Sequence, residues 1–332
     1  MTASIRKLLI ATAHLDIWVA PEWFAERLRN RFPQFEVVRL ASVDELDLEI
    51  ADAEIVMTVT LRPEQLRAAK KLRWIHSSAA AIHQLLFPEL VNSDVLLTNG
   101  RDVHGPAVAE QTIGMIFALA KRIPQAVRFQ QQRFWGQQVI WNEYSGPQEL
   151  AGLIVGVIGL GAIGRDVARH AASLGMKVVG VREHADLPKP DFVEQVLPSS
   201  RLNEMLAIAD YVVVAAPVTS ATREMIGREQ LAAMKSTAYL INVSRGVLVN
   251  EAALIEALRE NRIAGAGLDV FQKEPLPADS PLWDLENVLI TPHTAGMNAK
   301  MWELQYELFS DNIRRYLNGE RLRALVDKKA GY

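Results

Sequence analysis

The sequence GLIVGVIGLGAIGRDVAR, residues 152–169, decides the fold of this chain. Its first part, Leu153 to Ile158, is an apolar run rich in β-branched residues and predicts a buried strand. Glycines then interrupt the run, and a helical pattern follows with apolar residues on one face. The stretch therefore predicts a strand, a tight turn and a helix.

The three glycines of this turn each have a physical role. Gly159 permits the sharp bend, Gly161 lets the backbone approach a pyrophosphate, and Gly164 lets helix and strand pack closely. The phosphates would bind unpaired amides at the helix N-terminus, including those of Ala162 and Ile163. A plain turn between strand and helix is the alternative, but the strand before and the helix after favour a dinucleotide site.

The residue after the next predicted strand, Met176–Val181, indicates which dinucleotide is bound. NAD sites usually place Asp or Glu there to accept hydrogen bonds from the adenosine ribose. Here Arg182 follows the strand, and its guanidinium suits a 2′-phosphate, which favours NADP(H). Glu183 could still turn inward and bind NAD(H), and Arg182 could instead be a solvent-exposed side chain.

Composition excludes several classes of protein. The chain has 332 residues, is 49% apolar and carries a net charge of −3, so neither nucleic-acid binding nor disorder is indicated. It contains no cysteine, which rules out disulfides and thiol chemistry. The apolar stretch Lys7–Asp16 is short and soon polar, so we expect a first buried strand and not an export signal or membrane span. We therefore expect a cytoplasmic protein.

Strands and helical segments alternate along the whole chain, which predicts parallel sheets covered by helices. In the first part the predicted strands are Leu8–Thr12, Glu36–Leu40, Ala53–Val59, Leu72–His76 and Val95–Thr98, and the predicted helices are Glu22–Arg31, Pro63–Lys71, one beginning at Pro106 and one from Pro124 to Gln132. After Met176–Val181 the predicted strands are Val193–Leu197, Tyr211–Pro217, Ala238–Val243, Gly265–Val270 and Val288–Thr291, and the predicted helices are Arg201–Ala209, Arg228–Met234, Glu251–Glu260 and Ala299–Asn318. The sequence thus predicts an α/β protein with two doubly wound parallel-sheet domains.

Three groups able to catalyse reduction of a 2-keto acid follow the late strands. Arg245 could hold the substrate carboxylate, and His293 could give a proton to the carbonyl as hydride arrives. Glu274 could orient the imidazole and favour its protonated form. Each residue alone has a structural alternative, but the carboxyl ends of parallel strands share one crevice, which favours a joint catalytic role.

Two further segments leave alternatives open. The small residues Ala79, Ala80 and Ala81 follow a predicted strand, so their amides either hold an anionic substrate or form a close-packed turn. An aromatic group suits either a dimer surface or the core; it consists of Phe129, Phe134, Trp135 and Trp141. The histidines show no metal-ligand spacing with Asp or Glu, so we predict no catalytic metal.

The chain resembles the D-isomer-specific 2-hydroxyacid dehydrogenase family, which includes glyoxylate/hydroxypyruvate reductases. The resemblance rests on the segments GLGAIG at 159–164, NVSRG at 242–246, DVFQKEPL at 269–276 and PHTAG at 292–296. These segments lie in the nucleotide domain, and the remaining chain fits in length and order.

This resemblance implies that Arg245, Glu274 and His293 are the catalytic residues, that Asp269 lies near the nicotinamide carboxamide, and that the amides of Ala79–Ala81 meet the substrate carboxylate. Further cofactor contacts are expected from Pro217, Val243 and Gly296. It also implies a flavodoxin-like substrate-binding domain of residues 1–102 and 296–332, a Rossmann-type dinucleotide-binding domain of residues 103–295, and a homodimer.

Two departures from the family pattern concern substrate and cofactor choice. Ala79–Ala81 replaces the common Gly-Ala-Gly, and Arg182 replaces the acidic residue of NAD-using members. Glu274 argues against a formate dehydrogenase, in which glutamine stands at this position. The alternatives are a nucleotide-sensing corepressor and a phosphoglycerate dehydrogenase, although we expect no appended regulatory domain in a chain ending at Tyr332.

Overall fold

A computed structural model describes residues 6–11, 18–143 and 146–331. The chain divides into two compact units, one formed by Met1–His104 with Asn298–Tyr332 and the other by Gly105–Met297. No helix in the described part of the chain is long and apolar enough to cross a bilayer.

The first unit contains a five-stranded parallel sheet. Its strands are β1 (Arg6–Ala11), β2 (Phe35–Arg39), β3 (Ala53–Thr58), β4 (Trp74–Ser77) and β5 (Leu96–Asn99). They lie in the order β2-β1-β3-β4-β5, and every pairing is parallel. Thr12, with which we expected the first strand to end, lies outside the described residues.

The second unit contains a seven-stranded parallel sheet. Its strands are β6 (Ile154–Ile158), β7 (Lys177–Val181), β8 (Gln195–Leu197), β9 (Tyr211–Val214), β10 (Tyr239–Asn242), β11 (Gly265–Leu268) and β12 (Val288–Ile290). The order is β12-β11-β10-β9-β6-β7-β8. The strand order changes direction at β6: β7 and β8 lie on one side of it, and β9 to β12 lie on the other. Two all-parallel α/β sheets confirm the predicted fold class.

Apolar side chains cover both faces of the larger sheet. In β9, Val212 and Val214 join one buried cluster, whereas Tyr211 and Val213 join the cluster on the opposite face. A strand buried on both faces reads as a continuous apolar run, which is the pattern found in the sequence. The strands are thereby fixed in register, and the loops at their carboxyl ends are positioned by a rigid sheet.

The helices are α1 (Glu22–Arg31), α2 (Leu46–Glu49), α3 (Pro63–Ala68), α4 (Pro88–Val91), α5 (Arg101–Ala120), α6 (Ile123–Gln131), α7 (Gln137–Glu143), α8 (Ala162–Ser173), α9 (Leu202–Ile208), α10 (Arg228–Ala233), α11 (Glu251–Arg259) and α12 (Met301–Leu317). The prediction that α5 begins at Pro106 was wrong, since the helix starts at Arg101. Its first turn forms because the amides of Val103 and His104 both donate to the Gly100 carbonyl. Helix α3 ends at Ala68, short of the predicted Lys71, and the short helices α2, α4 and α7 were not predicted.

Candidate active site

The glycine turn between β6 and α8 is built as the sequence predicts. Gly159 has φ of +91°, and a Cβ on it would lie 2.7 Å from the Ala215 carbonyl oxygen. A Cβ on Gly164 would lie 1.8 Å from the Gly159 carbonyl oxygen. Any side chain at either position would therefore displace backbone, and the turn contacts the loop after β9 at the point where strand order reverses.

The N-terminus of α8 presents free amides to an open space. The helix begins after Gly161, and no side chain caps it. The amides of Ala162 and Ile163 donate to no group in the described part of the chain. A Cβ on Gly161 would meet no atom within 4 Å. Unpaired amides beside unfilled space suit the phosphates of a dinucleotide.

Arg182 lies at the edge of this turn, because the Gly159 amide donates to the carbonyl of the preceding residue, Val181, at 2.8 Å. The Nη2 of Arg182 donates to the carbonyl oxygens of Leu187 and, at 3.2 Å, of Pro188. Its Nε is buried and has no hydrogen-bond partner among the described residues. One donor of the guanidinium is thus buried without a partner at the end of β7.

Glu183, the residue that could favour NAD(H), is exposed and accepts a hydrogen bond from Ser199 Oγ at 2.5 Å. Two other expected cofactor contacts differ in exposure, since Pro217 is exposed and Val243 is only 5% exposed within the core. Gly296 is half-buried. Their contacts with a cofactor stay predictions.

The loop after β10 holds Arg245 against the loop after β11. The Asn242 side chain holds the backbone of this loop through two hydrogen bonds: Oδ1 accepts from the Ser244 amide at 3.2 Å, and Nδ2 donates to the Arg245 carbonyl at 3.1 Å. A Cβ on Gly246 would come within 1.9 Å of the Phe271 carbonyl carbon. The absence of a side chain at position 246 therefore allows the two backbones to touch.

The predicted catalytic side chains meet at this contact. His293 Nδ1 and Glu274 Oε2 are 2.6 Å apart, and Glu274 Oε1 also accepts from the Phe271 amide at 3.0 Å. Burial raises the pKa of Glu274, but the bonds from His293 and Phe271 and the charge of Arg245 lower it, and the net shift is downward. Burial lowers the pKa of Arg245, and this effect exceeds that of the charges of Glu274 and Asp269, which raise the pKa. An ionised carboxylate therefore lies between an imidazole and a guanidinium.

Asp269 anchors the loop that carries His293, a role that the sequence analysis missed. The carboxylate is 1% exposed and accepts from Thr291 Oγ1 at 2.5 Å, from the Thr294 amide at 3.0 Å and from the Ala295 amide at 3.1 Å. These bonds hold His293 at φ of +53°, a conformation uncommon for residues other than glycine. The sequence signal for this role was a carboxylate at the end of β11, the strand that pairs with β12 before His293. The predicted contact of Asp269 with the nicotinamide carboxamide stays a prediction.

The predicted substrate loop belongs to the first unit and follows β4. Ala79, Ala80 and Ala81 are half-buried. The Ala79 amide lies 3.3 Å from Ser77 Oγ, whereas the amides of Ala80 and Ala81 donate to no group within residues 6–11, 18–143 and 146–331. The loop is therefore not a turn closed by its own hydrogen bonds, and two adjacent donors remain for a ligand.

No group of three or more His, Asp or Glu side chains is arranged to hold a metal ion in the described part of the chain. Arg245, Glu274 and His293, which follow the strand ends, are residue types able to bind a carboxylate and exchange protons. Their elements and order match a known family: the model of the D-isomer specific 2-hydroxyacid dehydrogenase NAD binding domain matches residues 113–295. The chain belongs to this family, whose members are NAD(P)-dependent dehydrogenases.

Individual relatives extend the match over both units. A glyoxylate reductase of Thermofilum pendens is 35% identical over 296 residues, which cover 87% of this chain and 85% of the relative. A D-3-phosphoglycerate dehydrogenase of Methanocaldococcus jannaschii is 32% identical over 311 residues, 91% of this chain but 57% of that protein. A D-isomer specific 2-hydroxyacid dehydrogenase of Xanthobacter autotrophicus, crystallised with NADPH and MES, has 29% identity and a TM-score of 0.81, covering 99% of this chain and 100% of that chain.

Proposed function

We propose that this protein reduces a small 2-keto acid, glyoxylate or hydroxypyruvate, to the D-2-hydroxy acid with NADPH. The observation that carries the proposal is the 2.6 Å pair of His293 and Glu274, adjacent to Arg245, in the unit that also holds the glycine turn. The glyoxylate reductase of Thermofilum pendens supports the choice of substrate.

The residues present fit a nicotinamide dinucleotide. The amides of Ala162 and Ile163 would hold the pyrophosphate over the open space at Gly161, and Arg182 would hold a 2′-phosphate. When bound, the cofactor supplies the hydride, which the side chains of this chain cannot. NADP(H) is favoured because Arg182 retains a buried, unpaired Nε and because the Xanthobacter relative was crystallised with NADPH.

The three side chains divide the remaining chemistry. Arg245 binds the substrate carboxylate and fixes the orientation of the neighbouring carbonyl. His293 donates a proton to the carbonyl oxygen in reduction and removes the hydroxyl proton in oxidation. Glu274 accepts from Nδ1, which orients the ring so that Nε2 serves the substrate. In the first unit, the amides of Ala80 and Ala81 would bind a substrate carboxylate.

Loss of reduced-nicotinamide absorbance tests substrate and cofactor together. Glyoxylate and hydroxypyruvate are offered with NADPH and with NADH, to the wild type and to Arg182→Asp. We expect the wild type to prefer NADPH by at least about tenfold in kcat/KM, and the variant to lose that preference because a carboxylate repels the 2′-phosphate. The Lys177→Asp variant, which changes an exposed charge at the other end of β7, is the control and should keep the preference.

A strong NADH preference in the wild type would reject the role of Arg182. No turnover with either keto acid and either cofactor would reject the reductase. A second candidate, phosphoglycerate dehydrogenase, is favoured by the Methanocaldococcus relative, so 3-phosphoglycerate with oxidised cofactor is assayed in parallel. Turnover of that substrate alone would replace the proposed function by this candidate.

A homodimer stays a prediction, which an exposed aromatic surface supports. Of the four aromatic residues that could join a dimer or the core, Trp135 is 85% exposed, Trp141 70% and Phe134 51%, so the core alternative was wrong for these three. Phe129 packs edge-on against Phe134. Apolar side chains exposed together are typical of an interface.

A further inference from the structure

Beneath the predicted substrate loop lies a buried layer of polar side chains. The Ser78 carbonyl oxygen accepts two hydrogen bonds from this layer, from Gln305 Nε2 at 2.6 Å and from His104 Nε2 at 2.8 Å. Gln305 and His104 are 1% and 3% exposed. Since a carbonyl can only accept, the proton of the His104 ring is on Nε2. The first peptide of the loop is thus held from below by two donors.

The next two carbonyl groups are held in the same manner. The Ala79 oxygen accepts from the Gly100 amide at 3.0 Å, and the Ala80 oxygen accepts from Asn99 Nδ2 at 2.6 Å. Asn99 is 3% exposed and ends β5. Three successive carbonyl groups therefore bond to buried donors.

This pattern fixes the direction of the amides. In a trans peptide the C=O and the following N–H point in opposite directions. The cis peptide in the described chain is Glu274–Pro275, so those of the loop are trans. Because the oxygens of Ala79 and Ala80 bond inward, the amides of Ala80 and Ala81 are turned away from the layer. Both amides lack partners among the described residues.

A second group of buried polar side chains lies beside Gln305, which opposes the lowering of the pKa of His76 by burial. Trp74 Nε1 donates to Thr98 Oγ1 at 2.9 Å, and Thr98 Oγ1 lies 2.8 Å from His76 Nδ1. His76 Nε2 and Gln305 Oε1 are both buried, and neither has a hydrogen-bond partner among the described residues. The bond from Gln305 Nε2 to the Ser78 carbonyl is therefore the contact that directs the amide nitrogen of Gln305 toward the loop.

We propose that Gln305, His104 and Asn99 are positioning residues that turn the amides of Ala80 and Ala81 outward to bind the substrate carboxylate. This inference rests on the proposed function. The layer supplies a side-chain donor to each of two loop carbonyl groups, those of Ser78 and Ala80. The methyl groups of Ala79–Ala81 do not prevent this arrangement, because it is the carbonyl bonds that set the peptide planes.

Paired asparagine variants test the inference. Asn99→Ala removes the donor to Ala80. Asn312→Ala removes a similarly buried asparagine of the same unit, whose side-chain bonds within the described residues are both to Arg323, at 3.1 and 2.8 Å. We expect Asn99→Ala to raise KM for glyoxylate roughly tenfold, with kcat changed less than about threefold. Calorimetry with oxamate, an unreactive 2-keto acid analogue, in the presence of NADPH should show a Kd raised by the same factor. Asn312→Ala should stay within about twofold of wild type in both.

Gln305→Met supplies a second variant should Asn99→Ala fail to fold, and it should also raise both constants. Folding is checked by thermal unfolding against Asn312→Ala. Folded Asn99→Ala or Gln305→Met protein with KM and oxamate Kd equal to those of Asn312→Ala would overturn the inference. A wild type that binds oxamate but reduces no keto acid would instead overturn the proposed function, and the oxamate arm would still decide the role of Asn99.

Discussion

Each of the two sheets carries a histidine near the carboxyl end of a strand, and the two imidazole rings lie in contrasting environments. His293 has a side chain 41% exposed and a carboxylate 2.6 Å from Nδ1. His76 is fully buried, stacks on Phe309 with 4.9 Å between centroids, and bonds to the neutral hydroxyl of Thr98. Burial lowers the pKa of His76 to about 4, although the interaction with Gln305 raises it. The first ring can exchange protons with a ligand, whereas the second is held neutral.

The difference shows two ways of building a site at the end of a parallel sheet. On the proposed function, side chains of the second unit do the chemistry: Glu274 is ionised, and the side chain of His293 is 41% exposed. In the first unit we propose that backbone amides of the loop bind the substrate and that buried side chains below them orient the peptides. The predictions that follow test this division, beginning with the largest expected effect.

Replacement of His293 should abolish most of the activity. His293→Asn is chosen because asparagine tolerates the positive φ at this position, so the loop is preserved. Loss of the proton donor should lower kcat for glyoxylate reduction about 10³-fold, with the Kd for NADPH unchanged. The control is His170→Ala, a half-buried histidine near the end of α8. Stopped-flow measurement of kcat would contradict the assignment if His293→Asn retained more than about a tenth of wild-type activity.

The same division explains what could be predicted from the sequence. Strand ends, the glycine turn and the three catalytic candidates are local signals, since each side chain follows its strand directly and parallel strands end on one side. The support of the substrate loop is not local, because Gln305 and Ser78 are 227 residues apart in sequence. A single sequence carries no signal that pairs such residues.

Smaller misses have local physical causes. Helix α5 passes through Pro106, which the pattern places at a helix start, because bonds to Gly100 begin the helix one turn earlier. Asp269 was linked only to a cofactor group, because its three bonds to the loop of His293 depend on the pairing of β11 with β12. In both cases tertiary hydrogen bonds decided the outcome, and composition and periodicity do not report them.

The buried histidine should make the first unit sensitive to acid. The pKa of His76 is lower in the folded state than the usual 6.5, so the unfolded state binds protons more tightly. The contribution of neutral His76 to the free energy of unfolding is complete above about pH 6.5 and is lost as the pH falls toward 4. The total loss is up to about 3 kcal/mol, or about two orders of magnitude in the unfolding constant. Urea unfolding measured by tryptophan fluorescence at several pH values tests this. His76→Gln is less stable at neutral pH but should lose less stability on acidification; an unchanged slope would show that His76 does not titrate on unfolding.

The smallest effect is expected at Glu274, where Glu274→Gln keeps an acceptor for His293 Nδ1 but removes the charge. The effect of burial, which raises the pKa of Glu274, is outweighed by hydrogen bonds from His293 and Phe271 and by the charge of Arg245, so the pKa is lowered and the carboxylate is ionised at neutral pH. A charged acceptor forms a stronger hydrogen bond with His293 Nδ1 than a neutral amide does. Loss of this charge should therefore lower kcat for reduction about tenfold at neutral pH. Glu251→Gln, at a carboxylate that accepts from the Gln272 amide at 3.1 Å, is the matched control and should leave kcat unchanged. Equal kcat values for Glu274→Gln and Glu251→Gln would show that the charge of Glu274 does not contribute, and the contrast between the two histidines would then rest on exposure alone.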